Sequence, residues 1–397
     1  MAAASFVLLA VGVAGALARP RGAPAWAVPT AAAIVALASG STHVADAGHS
    51  LRTLASPVGF LLAAVPLAVM LDRVGFFSSV AAAVASRRGQ SGALWVLGAL
   101  TTTVLNLDAG VVLLTPLYAG IGARSGVGRL RLAWQPVLLA LLASSALPVS
   151  NLTNLIAAAR WGLGTVQVAE HLGPPSLAAC IVGWLMYRRV VGAPTPVGGP
   201  PPDRQRDGLL LGSVVVAGVL VGFTGGEVMG VPPWAVAVAA DAVLVVASRS
   251  LPTRAVPVGT ALVVAALAVL AAGVAPHLPL AHWVSGEGLL PTARSAGVAA
   301  LAANAMDNLP ALLVAVPATT HVAGCSASWG ALLGVNMGPS LVVTGTLASL
   351  LWQDSLRRMG VDVSASRFSA VAAAVCLPAF AVAVATLLGV QWMLGCG

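Results

Sequence analysis

The sequence contains no lysine: all 20 of its basic residues are arginine. It is also short of charge of either sign, at 8% Asp, Glu, Lys and Arg, against about 25% in ordinary soluble domains. With 58% hydrophobic residues and a strongly positive mean hydropathy, so little charge argues against a soluble domain and predicts a polytopic membrane protein. The four cysteines, Cys180, Cys325, Cys376 and Cys396, have no Cys-x-x-Cys or other metal spacing. They are read as small packing residues, and neither a metal centre nor a cofactor is expected. No Gly-x-x-x-x-Gly-Lys phosphate loop is present, so ATP drive would need a separate subunit. The net charge of +8 comes from single and paired arginines in short loops, a pattern that orients membrane proteins and does not form a nucleic-acid surface. The first apolar run, Ser5 to Ala18, lacks the basic flank of a secretory signal and is read as the first span.

What the sequence does contain is two acids in unfavourable places. Thr101 to Pro116 places Asp108 within a segment otherwise apolar enough for a bilayer, and Ala303 to Pro310 does the same with Asp307. An ionised group there costs at least a few kcal/mol, so each is a functional position by default. At about 20 apolar residues per crossing, spans fall near 4–18, 26–40, 54–76, 132–158 and 173–187, with an interrupted block at about 91–122. A Pro-, Gly- and Arg-rich linker, 188–207, separates this first half (1–187) from a second (208–397). The second half has spans near 208–223, 231–248, 256–275, 328–352 and 369–394, and an interrupted block at about 288–317. The order is the same in both: three spans, a broken block, two spans.

If each broken block is a re-entrant hairpin, every arginine except Arg52, Arg160 and Arg294 falls on one face. The positive-inside rule makes that face cytoplasmic and puts both termini outside. All of the histidines then lie in or near external loops. An odd number of net crossings per half inserts the second half upside down, which is the plan of many secondary transporters. The predicted fold is therefore an all-α polytopic membrane protein of two inverted-topology repeats, each with five transmembrane helices and one re-entrant hairpin.

Each broken block is followed by a span with its own polar break: Ser144 to Asn154 in the first half, and Gly334 to Ser340 with Thr344-Gly345-Thr346 in the second. A proline within a helix frees a carbonyl, and Ser, Thr and Asn supply short donors and acceptors for a small polar solute. One such cluster reads as glue between helices. Two in matching positions, each downstream of a buried acid, favour a site. Asp108 and Asp307 are each expected to cap the second half-helix of a hairpin in part. They are also read as proton carriers, because burial disfavours the charged form of a carboxyl group. The lining is expected from Asn106, Asp108, Ser150, Asn151, Thr153, Asn154, Asn304, Asp307, Asn308, Gly338, Pro339, Ser340, Thr344 and Thr346. Asp241 is read as a structural partner, with an arginine as one candidate for the other group. Asp72 with Arg73 and Glu170 with His171 are read as solvated at membrane edges.

The stretches Leu107 to Pro116, Leu147 to Asn154, Asn308-Leu309-Pro310, and Gly338 to Trp352 resemble the arsenite and antimonite efflux permeases of the ion transporter superfamily. The resemblance covers most of the chain in order, and its last stretch is the most specific. It implies an elevator-type transporter in the bacterial cytoplasmic membrane. For this family it implies export of trivalent arsenic or antimony hydroxide, against protons or with a separate ATPase subunit, and it leaves room for a homodimer. After Gly338-Pro339 the family pattern has Lys or Asn, then Ile or Leu, then Thr; this chain has Ser340, Leu341 and Val342, a thinner polar lining. Two carboxylates at the tips would repel a dicarboxylate and suit a neutral hydroxide or a cation. The alternative is a sodium- or proton-coupled carrier of another small ion or carboxylate. An intramembrane aspartyl protease would use two acids sharing a proton, but the Gly-x-Gly-Asp signature is absent at Asp108 and at Asp307. No enzyme activity is expected.

Overall fold

The computed structural model describes residues 2–18, 22–85, 90–192, 206–277, 283–322 and 325–394. Part of the predicted linker, 193–205, lies outside the described residues, as do Arg19, Arg21, Arg87, Arg88, Arg204, His282 and Cys396 and the side chains of Arg206, Arg254, His321 and Cys325. Regular structure among the described residues is entirely helical. The first half gives α1 (Ala2–Ala18), α2 (Ala27–Ala38), α3 (Val44–Arg73), α4 (Phe76–Ala85), α5 (Gln90–Leu105), α6 (Leu107–Arg124), α7 (Arg129–Leu142), α8 (Leu152–Trp161) and α9 (Thr165–Val190). The second gives α10 (Arg206–Val228), α11 (Pro233–Ser248), α12 (Val258–Val274), α13 (Leu289–Met306), α14 (Asn308–Val322), α15 (Cys325–Met337), α16 (Leu347–Arg358) and α17 (Ala365–Leu394). The stretches Val44–Arg73, Gly208–Gly226, Val258–His277 and Ala365–Leu394 are each long and apolar enough to cross a bilayer. The chain is a polytopic helical membrane protein.

Two elements differ from the hydropathy reading. Helix α3 begins at Val44, well before the expected start at 54. Asp46, His49 and Arg52 make its first turns too polar for hydrocarbon, yet the backbone hydrogen-bond ladder continues through them, and Asp46 in the first turn suits the helix dipole. Beyond Gly75, at φ 82, the chain turns into the short helix α4. That left-handed conformation is one glycine takes readily.

The interrupted blocks are helix pairs that meet at a single residue, α5 and α6 at Asn106, α13 and α14 at Asp307. The polar breaks are also alike. A 3-10 turn, Pro148–Ser150, separates α7 from α8, and another, Val343–Gly345, lies between α15 and α16. Asn151 after the first turn has φ −148 and ψ 140; Thr346 after the second has φ −145 and ψ 148.

Helices α13 and α15 pack along a seam of small residues. Gly330, Gly334 and Gly338 of α15 and the segment after it face Thr292, Ala296 and Ala300 of α13 at a four-residue spacing on both sides. A Cβ on Gly330 would overlap the carbonyl oxygen of Thr292, and one on Gly334 that of Ala296, so the backbones approach as closely as small-residue interfaces allow. Elsewhere, α7, α16 and α17 share an aromatic cluster. Trp134 and Trp352 lie 4.5 Å apart between ring centroids, and Trp352 Nε1 donates to Ala133 O at 2.6 Å. Helices α1, α2 and α12 pack on one another, and α12 also packs on α3, along which α11 lies.

Two sequence expectations are corrected here. His171 is buried, not solvated: its ring stacks on Trp329 at 4.4 Å and 6°, and its Nδ1 lies 3.0 Å from Gln167 O. Only Glu170 beside it is exposed. Among the described residues Asp241 has no arginine partner. The ion pairs among the described residues are Arg357–Asp362 and Arg358–Asp354, and Asp241 Oδ1 is buried without a hydrogen-bond partner. Cys180 and Cys376 are free thiols, the latter fully buried.

Candidate functional site

The two helix breaks are built on the same local device. Asn106 and Asp307 both have positive φ, 100 and 78, rare for residues other than glycine. Each side chain compensates by accepting an amide hydrogen bond from two residues ahead. Asn106 Oδ1 accepts from Asp108 N at 2.9 Å, and Asp307 Oδ1 accepts from Leu309 N at 3.1 Å. Asn106 and Asp307 are thus the matching positions, and Asp108 matches Leu309. The expectation that Asp108 caps its half-helix is corrected: the cap of α6 is Asn106. A carboxamide and a carboxylate accept the same amide hydrogen bond, so sequence alone could not choose between neighbours two apart.

This geometry predicts the ranking of two substitutions. Asn106→Ala loses the cap and keeps a Cβ at positive φ, so it is expected to cost about 2–3 kcal/mol. Asn106→Gly loses only the cap, and thermal unfolding in detergent should show it nearer the wild type.

Asp108 and Asp307 line one cavity of about 190 Å³, together with Asn151, Thr153, Asn308 and Thr346. Its opposite wall is apolar: Val13, Ala16 and Leu17 from α1, Ala25, and Val263, Val264 and Leu267 from α12, with Thr260 as the polar exception. Thr260 was missed because a single threonine in an apolar span carries no pattern. Asp108 and Thr260 also line an adjoining cavity of about 180 Å³ bounded by Leu61, Val65, Ala68 and Pro257. Among the described residues lining either cavity there is no arginine or histidine. Asp108 Oδ1 is buried without a hydrogen-bond partner.

The remaining candidates lie behind the wall. Ser150 Oγ is 2.8 Å from Ser144 O and 2.6 Å from Leu147 O, and Asn154 Nδ2 donates to the same two carbonyls at 2.9 Å. Asn304 Nδ2 donates to Ala300 O and Gly338 O, and its Oδ1 accepts from Leu341 N at 2.9 Å. Asn106, Gly338, Pro339, Ser340 and Thr344 do not line the cavity. The bonds of Asn106, Ser150, Asn154 and Asn304 hold the broken backbone in shape.

Asn336, outside the candidate set, joins the polar breaks of the two halves. Near the end of α15, it accepts through Oδ1 from Asn151 Nδ2 at 3.0 Å and from Thr153 Oγ1, and it donates through Nδ2 to Asn154 Oδ1. Its only signal in the sequence was its place in the break from Gly334 to Ser340.

Comparison with known proteins adds a family-level result. The family model described as citrate transporter matches residues 6–343. An arsenical pump membrane protein of Yersinia enterocolitica is 26% identical over 408 aligned residues, covering 93% of this chain and 94% of its own length. An arsenical pump membrane protein of Escherichia coli is 25% identical over 422 aligned residues, covering 98% of each.

Proposed function

The chain belongs to the citrate transporter family, and on that premise we propose that it exports trivalent arsenic or antimony hydroxide across the bacterial cytoplasmic membrane in exchange for protons. The observation that carries this reading is a cavity with two carboxyl groups and no cationic side chain among the described residues that line it. Citrate would bring its own negative charges against Asp108 and Asp307, a repulsion of several kcal/mol at close range in low dielectric. A neutral trivalent hydroxide brings only O–H groups, which carboxyl oxygens accept. The names of the relatives agree with that choice.

In this scheme Asp108 and Asp307 carry protons, and Asn151, Thr153, Asn308 and Thr346 contact the solute. The pairs α5/α6 and α13/α14 are re-entrant hairpins, and residues 1–187 and 208–397 are inverted repeats joined by the linker 188–207. The recurrence of an Asx residue at positive φ in each pair, and of an extended residue after each 3-10 turn, supports the repeat. Helices α5–α9 and α13–α17 form the moving body of an elevator against the apolar wall of α1 and α12. Both termini lie outside, on the side where Arg160 Nη1 and His49 Nε2 pair at 2.7 Å. Proton exchange needs no ATPase subunit, and each chain of a homodimer would keep a complete cavity.

The decisive test is tolerance in a strain deleted for its own exporters. Carrying this chain should raise resistance to both arsenite and antimonite. In liposomes, arsenite uptake should follow an imposed pH gradient; uptake driven by sodium instead would favour the sodium-coupled carrier.

A further inference from the structure

We propose that Asn336 is a positioning residue that fixes the hydrogen-bond polarity of the cavity wall, turning the Thr153 hydroxyl into an acceptor toward the solute. For the identity of the solute, the proposal rests on the reading above. Asn336, Asn151, Thr153 and Asn154 are each 2% exposed or less, and Asn336 and Asn154 stand behind the residues that line the cavity. The orientation of every amide follows from fixed backbone groups. Asn154 Nδ2 is committed to the carbonyls of Ser144 and Leu147, so Asn154 Oδ1 faces Asn336 and requires a donor there. That donor is Asn336 Nδ2, which turns Asn336 Oδ1 toward residues 151 and 153.

Asn336 Oδ1 then receives a hydrogen from Asn151 Nδ2 and the single hydroxyl hydrogen of Thr153. Asn151 Oδ1 is occupied by Thr153 N. What Thr153, a cavity-lining residue, retains for the cavity is the lone pairs of its hydroxyl. Beside two carboxyl groups, that makes a wall suited to a solute that presents O–H donors. The lock is one-sided: at the same spacing before the first 3-10 turn stands Leu141, which has no polar group to offer.

The test is a double-mutant cycle on Asn336→Leu and Thr153→Val in proteoliposomes. Each single variant should raise the KM for arsenite by ~10-fold or more, with kcat within about twofold, and the double variant should be no worse than Thr153→Val alone. Asn336→Asp keeps the acceptor and should recover part of the KM lost in Asn336→Leu. Multiplying effects in the double variant, or a lower yield of folded protein with KM unchanged, would overturn the proposal. If the wild type moves neither arsenite nor antimonite, the transport reading fails. The cycle is then read from unfolding temperatures without ligand, where coupled shifts support the role of Asn336 and additive shifts remove it.

Discussion

Asp307→Asn should abolish proton-driven arsenite uptake into everted vesicles, by at least about 100-fold, while leaving the protein folded. The fold should survive because an asparagine already occupies the same backbone shape at the other break. Asn106 holds φ 100 and accepts the amide of the second residue beyond it, as Asp307 does at φ 78. The substitution therefore keeps the cap and removes only the capacity to take up and release a proton. Asp108→Asn should be equally damaging to coupling and even milder for folding, since Asp108 Oδ1 has no hydrogen-bond partner to lose. Arsenite accumulation is measured with and without an imposed pH gradient. If either variant retained the wild-type dependence on the gradient, that residue would not be a proton carrier.

The second large effect is structural. Gly334→Ala should destabilise the protein by about 1–3 kcal/mol, the usual cost of overfilling a packed contact. The new Cβ would meet the carbonyl oxygen of Ala296, a backbone group that cannot turn aside, so α13 and α15 must separate. Separation also strains the bonds from Asn304 to Gly338 O and to Leu341 N. Gly297→Ala is the matched control within α13: a Cβ there meets nothing within 4 Å. It should stabilise the helix by up to about 1 kcal/mol. Unfolding temperatures in detergent should move in opposite directions for the two variants, and a shared direction would show that the seam is looser than its geometry requires.

Much of the helix order was legible because a bilayer imposes its own length on apolar runs. The interruptions expected within 91–122 and 288–317 fall at Asn106 and Asp307, where an Asx residue stands in an apolar segment. Legibility ended where the determining contacts join residues far apart in sequence. Nothing near Asn336 in the sequence marks Asn151, Thr153 and Asn154 as its partners, more than 180 positions away. Ser150, Asn154 and Asn304 looked like ligands because short polar side chains serve solutes and broken backbones equally well, and only their bonds to carbonyls separate the two uses. The polar beginning of α3 was invisible to hydropathy, which reports affinity for lipid and not continuity of a helix. His171 looked solvated for a related reason: its burial depends on Trp329, in a distant helix.

The two helix breaks differ by one atom in the side chains that cap them, nitrogen in Asn106 where Asp307 has oxygen. Two identical halves in the inverted arrangement proposed above would present the same chemistry to a solute arriving from either side. Under equal conditions, such a carrier would turn over equally fast in both directions. Exchanging one oxygen for nitrogen at a shared backbone position removes that equality. The forward and reverse half-cycles of this protein are then free to have different rates, and the kinetic bias needs no third domain to impose it.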